Sequence, residues 1–185
     1  LGGSWGAQLK RAGYDGLVIT GQADKPVYLW ITNNEVEIRA ADHLNGQGAI
    51  TCRETLKGEL GKSVSVVAIG PAAENGVVYA TLIADTDASG GGGLAAVMGA
   101  KNLKAIAVKG ERKILPADAE RLLALKERSL AIMSGLDEEF VSGVAPFRDL
   151  VPFEKTTKAV CYSCTGHQCI RRNYRMDDGQ KGKFM

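Results

Sequence analysis

Residues 27–39 read VYLWITNNEVEIR, and their pattern decides the fold class. Val27 to Ile31 is β-branched and aromatic, as a strand requires. Glu35 to Arg39 alternates Val36 and Ile38 with charged residues, the period of a half-buried strand. Asn33 and Asn34 between them tolerate the left-handed backbone of a tight turn. Strands joined by so short a turn must run antiparallel, because a parallel pair needs a long crossover. The expectation is an α+β domain with mixed or antiparallel sheets, not a dinucleotide-binding βαβ unit.

On the N-terminal side, Ser4 to Arg11 suits a short helix stopped by Gly13, and Leu17 to Thr20 reads as a buried strand. On the C-terminal side, Gly48 to Leu60 suits a helix ending at Gly61, with Ile50, Leu56 and Leu60 near one face. Cys52 falls inside it with no second ligand-type residue near in sequence, so it reads as a structural thiol. Ser63 to Ile69 is a Val-rich strand that ends at Gly70-Pro71. Val77 to Ile83 is apolar and leads into Asp85 to Gly93. Leu94 to Met98 suits a short helix and Ala105 to Val108 a buried strand.

Composition changes after Gly110. Pro116 introduces a helix over Asp118 to Met133, where Leu122, Leu125 and Ile132 recur at helical spacing, and Gly135 ends it. Glu138 to Val141 is at best a second short helix. Gly143 to Lys158, with Pro146 and Pro152, reads as a connector to a cysteine cluster. The expected organisation is one domain over 1–110 and the start of a mainly helical, cysteine-bearing domain over 111–185.

A chain of 185 residues has room for one modest domain with part of another, and 45% apolar residues suit a globular protein. A formal charge of +2 carries no footprint for nucleic acid or an anionic membrane. No apolar run approaches the roughly 18 to 20 residues of a membrane helix, so no membrane insertion is expected. The chain opens LGGSWG without an initiator methionine or signal pattern and closes on KGKFM after a polar turn, which reads as a fragment. Three of its four cysteines lie within nine residues, which suits a metal or cluster site in a reducing, cytoplasmic compartment better than a disulfide framework.

Two motifs carry chemistry. Ser89 to Gly93 reads SGGGG, so Gly90, Gly91, Gly92 and Gly93 present backbone without side chains and can take positive φ. Such a loop running into a helix can set amides against a phosphate or cofactor edge. It is neither a P-loop nor a GxGxxG fingerprint, and on composition alone a simple close-packing or flexible-loop role is the more ordinary reading. Lys101 and Lys104 could assist an anion or be solvated helix-end lysines.

Cys161, Cys164 and Cys169 form CYSCTGHQC, a C-x2-C-x4-C arrangement. Three thiolates so close can present three corners to a [4Fe-4S] cluster or bind zinc, with redox or unligated cysteines as the third reading. A fourth ligand could be His167, Cys52 or a residue outside 1–185. Arg171, Arg172 and Arg175 could offset the charge of a thiolate-ligated cluster or form a solvated face.

The segments GSWGAQLKRAGYDGLVITGQADKPVYLWI (3–31), EVEIRAADHLNGQG (35–48) and GGLAAVMGAKNLKAIAVKG (92–110), followed by the cysteine cluster, resemble the tungsten-dependent aldehyde:ferredoxin oxidoreductase family over most of the chain. The resemblance implies an N-terminal pterin-binding domain followed by the start of an iron-sulphur domain. It implies tungsten held by two pyranopterins, with molybdenum as the alternative metal and a place for magnesium, and a [4Fe-4S] cluster. Gly90 to Gly93 would approach the pterin or its phosphate, and Cys161, Cys164 and Cys169 would ligate iron. The implied activity is oxidation of an aldehyde to a carboxylic acid with electrons leaving to ferredoxin, by an oligomer at full length.

Within the same superfamily the alternative resemblance is to the tungsten-containing benzoyl-CoA reductase subunit, with an acyl-CoA substrate and an electron-transfer subunit. Two features depart from the aldehyde enzymes: Gly91 stands where the family's loop commonly carries arginine, and the third cysteine is one residue farther along than in C-x2-C-x3-C. The family's acid-base residues fall outside these 185 residues, so no catalytic residue is assigned and the chain alone is expected to be inactive. The reading from a different class is a non-catalytic zinc or iron-sulphur module.

Overall fold

A computed structural model of the chain describes residues 2–85, 88–135, 156–158, 161–162, 172–175 and 181–184. It divides into two units, Leu1–Ile114 and Leu115–Met185. The hairpin forms in the first: β1 (Val27–Thr32) pairs antiparallel with β2 (Glu35–Ala40), from Val27↔Ala40 to Thr32↔Glu35. Asn34 takes φ 68° at the turn, the left-handed conformation that asparagine tolerates better than most residues.

The other strands of this unit are β3 (Ser65–Ala68), β4 (Leu82–Ile83), β5 (Ser89–Gly90) and β6 (Leu103–Val108). They build one sheet in the order β2-β1-β6-β3-β4-β5. Only the β1–β6 pair is parallel; every other neighbour is antiparallel. Helices α1 (Trp5–Arg11), α2 (Ala49–Leu60), α3 (Pro71–Glu74) and α4 (Leu94–Ala100) complete the unit with a 3₁₀ turn at Asp42–Leu44. This is an α+β architecture.

Side-chain alternation along the strands splits the core into two layers. On one face, Leu29, Ile31, Val67, Ile106 and Val108 pack with Leu9 and Ala12 at α1, Ala73 of α3, and Ala95 and Met98 of α4. On the other, Tyr28, Val66, Ala68, Ala105 and Ala107 pack with Leu44, Cys52 and Leu56. Covered on both faces, β6 is buried along its whole length, which is why LKAIAV holds five apolar residues in six.

Two local expectations are corrected. Leu17 to Thr20 is irregular backbone, not a strand; Leu17 and Ile19 lean on the core while Val18 is 94% exposed. Alternating contact with a core needs no ladder partner, so the pattern alone misleads. In α2 the buried stripe is Cys52, Arg53 and Leu56, and Ile50 is exposed. At 3.6 residues per turn Ile50 and Leu56 lie roughly 120° apart, whereas residues four apart stay within about 40°.

In the second unit α5 (Ala119–Ser134) follows the expected start, because the Asp118 carboxylate accepts a hydrogen bond from the Arg121 amide at 2.8 Å. Its periodic Leu122, Leu125 and Ile132 are exposed. A three-stranded antiparallel sheet, which the sequence pattern did not suggest, joins β7 (Thr156–Lys158), β8 (Arg172–Arg175) and β9 (Lys181–Phe184) in that order. The short helix expected at Glu138 to Val141 and most of the connector lie outside the described residues.

Candidate functional site

The glycine loop leaves the sheet at its β5 edge. Gly90 pairs with Leu82 in a hairpin of only two residue pairs, and the chain then runs through Gly91–Gly93 into α4. Gly92 and Gly93 sit at φ +72° and +82°, where a side chain would add about 1 to 2 kcal/mol of backbone strain. A Cβ on Gly91 or Gly92 would meet nothing within 4 Å, and one on Gly93 would lie 3.7 Å from the Val78 carbonyl oxygen. The loop therefore offers bare backbone facing open space. Leu94, Val97, Val78 and Tyr79 are all exposed, so the loop's neighbourhood is apolar as well as unshielded.

At the far end of α4, Gly99 fixes the helix. A Cβ there would lie 2.0 Å from the Ala73 carbonyl oxygen, so α3 and α4 touch backbone to backbone. Beyond it, Lys101 Nζ donates to the Gly21 carbonyl at 2.8 Å and Asn102 Nδ2 to that of Ala23 at 2.6 Å. Lys104 is buried: its ammonium donates to the Gln47 carbonyl at 2.7 Å and pairs with Glu74. Both expected roles for Lys104, anion ligand and solvated helix-end lysine, give way to a structural one. Glu74 in turn accepts from the Gly46 amide at 3.1 Å, so the pair ties the 46–47 turn, α3 and β6 together.

Before the loop, Asp85 is a buried carboxylate that sequence reading did not single out. It lies between β4 and β5; its carboxylate meets the Lys57 ammonium of α2 and accepts from the Ser4 hydroxyl at 3.5 Å. Ser4 Oγ is also 3.1 Å from Ser65 Oγ at the start of β3. Nothing local in the sequence signals this convergence, because Ser4 and Asp85 are 81 residues apart.

Cys52 is fully buried in the core beneath α2. Burial pushes its thiol up to about 11, with Lys104 opposing and Glu74 and Glu59 adding to the rise. A neutral thiol packed in the core is the structural cysteine the sequence suggested, and it is not presented as an iron ligand. Cys161 is half-buried; Cys164, Cys169 and His167 lie outside the described residues, as do Arg171 and the side chains of Arg172 and Arg175. Among the described residues no group of three or more histidine, cysteine, aspartate or glutamate side chains is gathered for a metal. Among them, too, no helix is long and apolar enough to cross a membrane.

The first unit is thus a mixed sheet packed on both faces, with a run of glycine backbone at its β5 edge. Residues 1–110 match the family described as aldehyde ferredoxin oxidoreductase, N-terminal domain, and the chain belongs to that family. It is 45% identical over 130 residues to the tungsten-containing aldehyde ferredoxin oxidoreductase of Pyrococcus furiosus, an alignment covering 69% of this chain and 22% of that protein. The enzyme of the same description from Thermococcus kodakarensis is 43% identical over the same shares. The chain thus spans about a fifth of the length of these relatives. Among solved structures, the active-site complex BamBC of benzoyl coenzyme A reductase, bound to 1,5-dienoyl-CoA, superposes with a TM-score of 0.81 at 29% identity. That superposition covers 99% of this chain and 34% of the other.

Proposed function

We propose that this chain is the pterin-holding and cluster-bearing part of a tungsten oxidoreductase that oxidises aldehydes to carboxylic acids and passes the electrons to ferredoxin. The observation that carries the proposal is the bare backbone at Gly91 and Gly92, with open space where side chains would stand, in a chain of this family. Such a surface fits a pterin or its phosphate, which main-chain amides can approach closely only where no Cβ intervenes. The bound metal-pterin supplies the two-electron chemistry, and the protein's part is placement and electrostatic tuning.

In this reading Gly90 to Gly93 contact the pterin or its phosphate, and the exposed Leu94, Val97, Val78 and Tyr79 exclude water from the loop's neighbourhood. Cys161, Cys164 and Cys169 hold three irons of a [4Fe-4S] cluster, and the fourth ligand comes from elsewhere in the protein. Residues 1–110 are the pterin domain and 111–185 begin the cluster domain. Tungsten is the metal, with molybdenum as the alternative, in a cytoplasmic enzyme. These residues alone do not turn over substrate.

A second reading is a catalytic subunit acting on an acyl-CoA. It is favoured by Gly91 in place of a loop arginine and by the longer cysteine spacing, and the benzoyl coenzyme A reductase complex aligns with nearly the whole chain. Anaerobic purification of the native polypeptide, with intact mass and W, Mo, Fe and Zn analysis, tests both. A longer chain with tungsten and about four irons or more that reduces ferredoxin with an aldehyde is the expected result. Turnover of a dienoyl-CoA instead moves the protein to the second reading. A chain complete at 185 residues with zinc and no tungsten, molybdenum or iron overturns both in favour of a structural zinc module.

A further inference from the structure

Four consecutive glycines have little intrinsic stiffness, so the placement of Gly90–Gly93 must come from its two ends. The downstream end is held by α4, whose Gly99 is locked against Ala73. The upstream end is β5, an edge strand of two residues paired only with the two residues of β4. A ladder that short does not hold a geometry unaided. Within the hairpin the Ala84 amide donates to the Ala88 carbonyl at 2.7 Å and the Ala88 amide to that of Asp85 at 3.4 Å. These bonds shape the connection itself; β4 meets β3 through the single pair Ala68↔Ile83, and Leu82, Ala84 and Ala88 reach the core.

Asp85 adds a polar tie. Its buried carboxylate joins the hairpin to Lys57 on α2, which covers one face of the sheet, and to Ser4 at the start of α1, which packs on the other. Ser4 extends the link to Ser65 on β3. A buried carboxylate holding a lysine and a hydroxyl resists displacement, because leaving the pocket strands each partner. We infer that Asp85 is a positioning residue: through Lys57 and Ser4 it anchors the β4–β5 hairpin and so sets where the glycine loop presents its backbone. The inference rests on the reading of Gly90–Gly93 as the cofactor contact, and its structural half can be measured without any cofactor.

The test uses the full-length protein with Asp85→Asn, Asp85→Glu and Lys57→Met. In Asp85→Asn, amide hydrogen exchange of peptides spanning 82–93 is expected to be about ten-fold faster, while β1 and β6 keep wild-type protection. Asp85→Glu, which restores the charge, should recover part of the difference, and Lys57→Met should shift it the same way by less. In the metal-loaded enzyme, Asp85→Asn should retain less tungsten through gel filtration and give a broadened W(V) electron paramagnetic resonance signal, at unchanged iron content. Wild-type exchange over 82–93 in Asp85→Asn overturns the inference whatever the metal does. Should Asp85→Asn fail to fold, Lys57→Met decides by the same exchange measurement. Faster exchange with unaltered tungsten retention and spectrum overturns the positioning role. A wild-type protein without tungsten or molybdenum overturns the functional reading, and the positioning role with it, even where the hairpin proves to be anchored.

Discussion

At Gly91 and Gly92, adjacent glycines answer different questions. Gly92 sits at φ +72°, whereas a Cβ on Gly91 enters open space with no such strain. Gly92→Ala is therefore expected to lower the unfolding free energy by about 1 kcal/mol, and Gly91→Ala to change it by less than about 0.5 kcal/mol. Denaturant titration checks both. If backbone is what the cofactor meets, Gly91→Ala should still reduce tungsten retention, separating binding from stability. Cys52 makes a pH prediction whose sign follows from burial. Its folded pKa of about 11 lies above the ordinary 9.0, so its contribution is fully present below about pH 9 and is lost as pH rises toward 11. Comparing wild type with Cys52→Ala at pH 8 and pH 10.5, the wild type should lose on the order of 2 kcal/mol more stability. An equal loss in both would mean that the thiol ionises freely.

Between elements, the contact of α3 with α4 is the tightest test of the packing. Gly99→Ala replaces a poor helix former with the best one, worth about 1 kcal/mol in a free helix. Here the new Cβ would lie 2.0 Å from the Ala73 carbonyl oxygen, which is backbone and cannot swing aside. The net expectation is destabilisation by about 1 to 3 kcal/mol, read from the denaturation midpoint; a neutral or stabilising result would mean that α4 slides freely on α3. Elements with a strong local signal were legible in the sequence: the VYLWITNNEVEIR hairpin, the Val-rich β3, the buried β6 and the Asp118-capped α5. The apolar run Leu17–Thr20 was misread as a strand because Leu17 and Ile19 can lean on the core without a ladder partner. The glycine loop was visible as a motif, but its anchors were not. Asp85 with Ser4, and Lys104 with Gln47, are contacts across 81 and 57 residues, and no periodicity encodes a meeting at that range. The apolar run Val77–Ile83 likewise does not say which of its residues the fold will cover, and it leaves Val78 and Tyr79 exposed.

For the molecule as a whole, the first unit is organised around β6, which sits between β1 and β3 and is the last of its strands in the chain. That arrangement constrains synthesis. Until residues 103–108 have emerged, β1 has its hairpin partner but an open second edge, and β3 lacks the neighbour that joins it to the hairpin. Val27 must wait for Leu103 to make its parallel pair, and closing so long a stretch of chain is slow. Exposed strand edges in the interval invite pairing with another chain. A protein truncated after Asn102 is accordingly expected to aggregate on expression, while one ending at Ile114 stays in solution, as size-exclusion chromatography would show; a well-behaved monomer ending at Asn102 would contradict the central role of β6. The nascent chain therefore carries its glycine loop out of the ribosome before the strand that completes the loop's sheet, and any cofactor delivered at that moment would meet a loop not yet held in place.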